Sequence, residues 1–116
     1  MTAPAHRVQP SPVVLPDPTA TLFRTLGHPV RIRVLELLQD GPRQVRDLLA
    51  VLGTSSSNLS QQLAVLRRAG LVTSSRAGGT VSYRLSTPEV GHLLEAAAGL
   101  SPLLQEDIAG AADSDA

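Results

Sequence analysis

The sequence predicts a mainly α-helical domain with one small β-hairpin, in the order α-α-α-α-β-β-α. Leucine and valine recur at helical spacing in successive segments from Thr19 to Arg68. Between Leu71 and Leu85, short polar-apolar alternation flanks a Gly78-Gly79 turn. The 116 residues fit one domain, and because hydrophobic residues make up 42% but aromatic residues only 2%, leucine and valine must build the core.

The two ends of the chain are expected to lie outside this domain. Residues 1–18 contain five prolines and no amphipathic period, which predicts a flexible arm, and the acidic, alanine-rich residues 110–116 predict a flexible tail. The folded domain is therefore expected over residues 19–109.

Composition also excludes several classes of protein. The absence of cysteine excludes disulfides and thiolate metal sites. No apolar run approaches the roughly 20 residues of a membrane span, and the first residues lack the apolar stretch of a signal peptide. We therefore expect a cytoplasmic location.

Glycine and proline separate the first three predicted helices. Gly27 ends the first, Gly41-Pro42 follows the second and Gly53 ends the third. The expected ranges are residues 19–26, 29–38 and 45–52.

The fourth helix follows a capping residue, Thr54 or Ser55, and runs to Arg68. Its sequence, SSNLSQQLAVLRR, places leucines on one face, while its first turns carry uncharged hydrogen-bonding side chains and no acid. Ser, Asn and Gln suit base edges and phosphate oxygens, whereas an acid at this end would repel phosphate.

The last helix is expected after the hairpin. Ser86-Thr87-Pro88-Glu89 predicts a capping box at its start. Gly99 and Ser101-Pro102 are expected to break or kink the helix before a final turn that ends near Ala109.

The net charge of zero conceals two oppositely charged halves. From Arg24 to Arg84, nine arginines face three acids, a net charge of +6, whereas the residues from Leu85 onward carry six acids and no base. A basic middle suits a polyanion.

Two helices joined at Gly53-Thr54 and followed by a basic hairpin are the pattern of a winged helix-turn-helix, whose second helix enters a DNA major groove. The candidate DNA contacts are of three kinds: polar side chains at the start of that helix, arginines at its end, and residues near the tip of the hairpin. They are Ser55, Ser56, Ser57, Asn58, Ser60, Gln61, Gln62, Arg67, Arg68, Arg76 and Gly78. The alternative interpretation is a winged helix that binds protein through its apolar last helix.

Three segments, LGHPVRIRVLELL, SNLSQQLAVLRRAGLV and SRAGGTVSYRL, resemble the ArsR/SmtB family of bacterial winged-helix repressors over residues 19–94. The resemblance implies a homodimer joined through the first and last helices, an imperfectly palindromic operator in double-stranded DNA, and an inducer that lowers DNA affinity. Apolar residues on the two terminal helices are the candidate dimer contacts: Leu22, Phe23, Val90, Leu93, Leu94 and Ala97. The chain departs from the family at Gln62, where histidine is common, and at Gly79, where the wing often has a second basic residue.

The metal-binding residues of the family are replaced. One site type needs a Cys-x-Cys pair, and those positions hold Gln44 and Arg46. The other type uses aspartate, histidine and glutamate on the last helix, where this chain has Thr87, Glu89, Leu100 and Leu103.

A displaced metal site remains as a hypothesis. His92 has Glu89 and Glu95 three residues to either side, and imidazole with carboxylates suits Ni or Zn. Because Glu89 and Glu95 lie far apart around a helix, the site would also need His6 from the arm or ligands from a partner subunit. The alternatives are an exposed polar helix edge and regulation by a non-metal effector or a protein partner.

Catalysis is not expected. The sequence has no glycine-rich phosphate loop and no cysteine, and no histidine lies near a serine within one predicted element. His28, before Pro29, is expected to be structural.

Overall fold

A computed structural model describes the backbone of residues 17–115 and the side chains of residues 17–104. The predicted N-terminal arm therefore lies almost wholly outside the described residues. Within the described part, the helices are α1 (Pro18–Leu26), α2 (Pro29–Leu37), α3 (Val45–Leu52), α4 (Ser56–Arg68) and α5 (Pro88–Asp115), with a 3-10 turn at Leu38–Asp40 after α2. The strands are β1 (Arg43–Gln44), β2 (Val72–Ala77) and β3 (Thr80–Leu85). The predicted winged helix-turn-helix fold is confirmed.

Side-chain caps fix the starts of the first two helices. The Asp17 carboxylate accepts hydrogen bonds from the backbone N–H groups of Thr19 and Ala20, at 2.9 and 3.3 Å. The His28 Nδ1 atom accepts from the Val30 N–H at 3.2 Å. Such caps satisfy N–H groups that have no partner inside the helix, so the expected structural role of His28 is confirmed.

The hairpin has the predicted register and one additional strand. Strands β2 and β3 pair antiparallel around the two glycines of the turn, Gly78 and Gly79, whose φ angles are +57° and +81°. Strand β1 pairs with β3 on its other edge, giving the order β1-β3-β2. Two residues are too few to show alternation, so the sequence does not predict β1.

Aliphatic side chains form the core, as the composition predicts. The most deeply buried positions come from α2 and the turn after it, α3, α4 and β2: Val34, Leu35, Leu38, Leu48, Leu59, Leu63, Leu66 and Val72. Three of these, Leu59, Leu63 and Leu66, make up the predicted leucine face of α4. The opposite, polar face of α4 is thereby turned outward.

Helix α5 differs from the prediction at both ends. The prediction at Gly99 and Ser101-Pro102 was a break or a kink. The break is wrong, because α5 continues through Pro102 to Asp115, while the kink stays a prediction. Pro102 removes one backbone donor and its ring crowds the carbonyl four residues earlier, but the surrounding alanines and leucines have high helix propensity. The Ser101 Oγ atom donates to the Ala97 carbonyl at 3.0 Å within the continuous helix. The flexibility of residues 110–116 remains a prediction.

The predicted capping box at the start of α5 is also wrong. The helix begins at Pro88, one residue later than that box requires. The Ser86 hydroxyl instead donates to the Gly70 carbonyl at 2.7 Å, which ties the start of α5 to the end of the α4 region.

Among the described residues, none of the helices combines the length and apolar character needed to cross a bilayer.

Candidate nucleic-acid interface

The turn between α3 and α4 has the geometry of a helix-turn-helix. Helix α3 ends at Gly53, whose φ of +66° lies in the left-handed region that favours glycine. The Gly53 N–H donates to the Leu49 carbonyl at 3.4 Å. Two residues later, the Ser55 Oγ atom caps α4 by accepting from the Asn58 N–H at 3.0 Å. The turn therefore redirects the chain in three residues and presents the start of α4.

Most of the predicted DNA contacts are exposed on α4 and the hairpin. The exposed members are Ser55, Ser56, Ser57, Ser60, Gln61, Arg67, Arg68, Arg76 and Gly78, while Asn58 is half-buried and Gln62 is buried. Arginines occupy the last turn of α4, which carries the negative end of the helix dipole. The exposed set combines neutral hydrogen-bonding groups at the front of α4 with positive charge at its end and on the hairpin, where Arg76 lies opposite Val81.

Gln62 supports α4 from inside and is the exception among these candidates. Its side chain is 8% exposed. Its Oε1 atom accepts from Arg31 Nε at 2.8 Å, and its Nε2 atom donates to Asn58 Oδ1 at 3.0 Å. Both ends of the amide are thus used within the chain, so Gln62 fixes Asn58 rather than facing outward.

Arg31 and Arg84 make hydrogen bonds in this part of the structure that were not predicted from the sequence. Arg31 lies 31 residues before its partner Gln62, so no local spacing reveals the contact. Arg84 is exposed on β3 and donates from Nε to Thr73 Oγ1 on β2 at 3.2 Å. Thr73 and Arg84 are paired across the hairpin, which the predicted register could have indicated.

The predicted dimer contacts divide into three groups by exposure. Phe23 is 58% exposed and Ala97 is exposed, whereas Leu22 and Leu93 are half-buried against the core. Val90 and Leu94 are 7% and 5% exposed and therefore belong to the core of the same chain.

Three further leucines on α5 lie outward instead. Leu100, Leu103 and Leu104 are 53%, 58% and 51% exposed. Their spacing of three and four residues puts them on one face of the helix. The expected break at Pro102 concealed this pattern, because it divided the face between two segments.

The candidate metal ligands do not form a site within the described residues. Glu89, His92 and Glu95 are all exposed on α5. Among the side chains described, no group of three or more histidine, aspartate or glutamate residues could hold a metal ion. His6 lies outside the described residues. These residues alone do not fit a resident metal.

Comparison with known proteins agrees with this geometry. The model of the family "Bacterial regulatory protein, arsR family" matches residues 28–74. The uncharacterized HTH-type transcriptional regulator Rv0081 of Mycobacterium tuberculosis is 51% identical over 79 residues, which are 67% of this chain and 69% of that protein. The crystal structure of Rv0081 has a TM-score of 0.72 and 39% identity, covering 92% of this chain and 99% of that one.

Two further solved structures share the fold. The transcriptional repressor BigR from Xylella fastidiosa has a TM-score of 0.68 and 35% identity, covering 72% of this chain and 85% of that one. The homodimeric winged helix-turn-helix DNA-binding domain Mb0332 from Mycobacterium bovis has a TM-score of 0.68 and 27% identity, covering 74% of this chain and 80% of that one. With an exposed, acid-free helix after a glycine turn and a hairpin wing behind it, the chain belongs to the ArsR/SmtB family of winged helix-turn-helix transcriptional regulators.

Proposed function

We propose that this protein is a homodimeric repressor that binds an imperfectly palindromic operator with one copy of α4 in each half-site. The observation that carries the proposal is the outer face of α4, where Ser56, Ser57, Ser60 and Gln61 are exposed and acids are absent. These side chains hydrogen-bond to base edges, while Arg67 and Arg68 neutralise phosphates.

The apolar surface of the terminal helices supports the dimer. Phe23 on α1 and the leucines at positions 100, 103 and 104 on α5 are each more than half exposed. Burial of an exposed leucine or phenylalanine side chain contributes about 1.5–3 kcal/mol. A second copy is the simplest partner for these helices, because a two-fold axis doubles the buried surface and sets two recognition helices about 34 Å apart.

Selection of duplexes from a random library tests the function and the assignment of Gln61. The full chain should enrich a two-fold symmetric sequence with half-sites about one helical turn apart. A Gln61→Ala variant should enrich a sequence that differs at specific positions, with discrimination against the wrong base reduced by about 1–3 kcal/mol.

The matched control is Ala50→Ser, a small change at an exposed position on α3 outside the proposed contacts. Its enriched sequence should equal that of the wild type. If the wild type enriches no sequence and binds no duplex at low salt, the proposal is wrong and the protein-interaction alternative is favoured.

A further inference from the structure

A line of hydrogen bonds joins the end of α1 to the turn before α4. The Arg31 Nη1 and Nε atoms donate to the Thr25 carbonyl at 3.1 Å and to Gln62 Oε1 at 2.8 Å. The Gln62 Nε2 atom donates to Asn58 Oδ1 at 3.0 Å, and Asn58 Nδ2 donates to Thr54 Oγ1 at 2.7 Å. We name the part from Arg31 through Gln62 and Asn58 to Thr54 the Arg31–Thr54 relay; all of its bonds are partly buried.

The direction of every bond in the relay follows from Arg31. A guanidinium group only donates hydrogen bonds, so Gln62 must turn its oxygen toward Arg31. The Gln62 NH₂ group then faces Asn58, which must accept the hydrogen bond with its Oδ1 atom. As a result, the Asn58 NH₂ group faces Thr54. This order follows from the donor-only chemistry of the guanidinium group.

The relay leaves the O–H group of Thr54 available to donate a further hydrogen bond. A threonine hydroxyl has one donor and two acceptor positions, and Asn58 Nδ2 occupies one acceptor position. Within residues 17–104, the Thr54 Oγ1 atom donates to no side chain or carbonyl. Thr54 is half-buried and directly precedes the exposed serines at positions 55–57.

We propose that the Thr54 hydroxyl donates a hydrogen bond to a DNA phosphate and that the Arg31–Thr54 relay orients it to do so. The inference rests on the proposed function, since it needs α4 to lie against DNA. Phosphate oxygens only accept hydrogen bonds, and a hydroxyl held as a donor matches them. Thr54 is therefore a binding residue, whereas Arg31, Gln62 and Asn58 are positioning residues.

A phosphate contact from a neutral hydroxyl has a specific signature. It contacts no base, so its loss should weaken binding to all duplexes by the same factor. It neutralises no charge, so its loss should leave the dependence of affinity on salt unchanged. A hydrogen bond to a charged group corresponds to a factor on the order of tenfold for each half-site.

The first test compares Thr54→Val with Thr54→Ser in the full chain, using anisotropy titrations of the selected duplex and of an unrelated duplex. Valine keeps the shape and removes the hydroxyl, while serine keeps the hydroxyl. We expect Thr54→Val to bind both duplexes about tenfold more weakly for each half-site, with the wild-type salt slope, and Thr54→Ser to bind like the wild type.

Two outcomes would overturn the inference and leave the proposed function intact. Equal affinities of the Thr54→Val and Thr54→Ser proteins would show that the hydroxyl does not contact DNA. A changed base preference in Thr54→Val would show that it contacts a base. Failure of the wild type to bind any duplex would instead overturn the proposed function.

The second test reverses the relay. A Gln62→Glu carboxylate only accepts, so it still pairs with Arg31 but forces the Asn58 amide to turn and present its NH₂ group to residue 62. The Thr54 hydroxyl must then donate to Asn58 Oδ1, so it can no longer donate a hydrogen bond to the phosphate. In the Gln62→Glu background, Thr54→Val should therefore weaken DNA binding less than twofold.

This double-mutant cycle separates a phosphate contact from a merely structural role. If Thr54 only holds Asn58, the valine substitution removes the same internal bond in both backgrounds, and equal losses would overturn the inference. The charge added by glutamate weakens binding in both members of that pair and cancels from the comparison. Thermal melts establish that each variant is folded. If Gln62→Glu does not fold, equal affinities of the valine and serine proteins would still overturn the inference.

Discussion

The α4 side, which we propose binds DNA, and the terminal-helix side of this chain differ in how many of their contacts one copy completes by itself. On the α4 side, the half-buried Asn58 side chain bonds to Thr54 and Gln62 inside the chain. On the terminal helices, Phe23 and Leu103 are each 58% exposed. One copy thus orders the polar groups of the proposed DNA-binding surface but leaves apolar surface on the terminal helices uncovered. In the proposed function, DNA recognition therefore depends on dimer assembly.

The largest expected effect comes from removing the dimer. A Leu100→Glu substitution puts a charge at a 53% exposed apolar position, where it costs little in one copy but would be buried in a dimer. Sedimentation should show a folded monomer. Operator affinity should fall by about 10²–10⁴-fold, because two linked half-site contacts become one.

The control for this prediction is Ala98→Glu, an exposed position roughly 160° around the helix from Leu100. It adds the same charge to the same helix and should remain dimeric. A wild-type protein that sediments as a monomer at micromolar concentration would contradict the proposed dimer.

The core-facing side of α5 should respond differently from its outward side. Leu94 is 5% exposed, and Leu94→Ala should lower the free energy of unfolding by about 2–5 kcal/mol, because it leaves a cavity in the core. Leu103→Ala removes the same atoms from an exposed position and should have a much smaller effect. Both are measured by urea denaturation in the monomeric Leu100→Glu background, and equal losses would show that the two sides of α5 are misassigned.

The smallest expected effect concerns the predicted metal site at His92. Glu89, His92 and Glu95 are exposed and need further ligands from His6 or from a partner subunit. Nickel or zinc should therefore bind weakly, and His92→Ala and His6→Ala should each lower that affinity in calorimetry of the full chain. Equal affinity in the wild type and both variants would exclude the site and leave an organic effector or a protein partner as the release signal.

Periodicity predicted most of the fold because it reports which residues face the core. The leucine face of α4 and the alternation around Gly78-Gly79 both appear in the structure as expected. Strand β1 escaped prediction because it is two residues long and exists only through its pairing with β3. The break predicted in α5 failed because the cost of one proline was outweighed by the helix propensity of the residues around it.

For the proposed DNA-binding site, the sequence could predict only contacts between residues that are close together in the chain. Asn58 and Gln62 are four residues apart on one helix, so their contact is consistent with the sequence. Arg31 is on another helix, and nothing local shows that it sets the direction of the hydrogen bonds at Thr54. The sequence likewise does not show which apolar residues of α5 pack in the core and which are exposed, because a continuous apolar stripe on a helix can do either. The packed structure was needed to separate them.

The central claim, that the outer face of α4 binds duplex DNA, is tested most directly by the salt dependence of operator binding. For wild type and Arg68→Ala, the logarithm of affinity is plotted against the logarithm of salt concentration. The claim predicts a steep slope for the wild type and a slope smaller by about one for each lost phosphate contact in Arg68→Ala. The matched control is Arg33→Ala, whose arginine pairs with Glu36 at 3.5 Å on α2, outside the proposed surface, and should keep the wild-type slope. Equal slopes for wild type and Arg68→Ala, or no duplex binding at low salt, would contradict the claim.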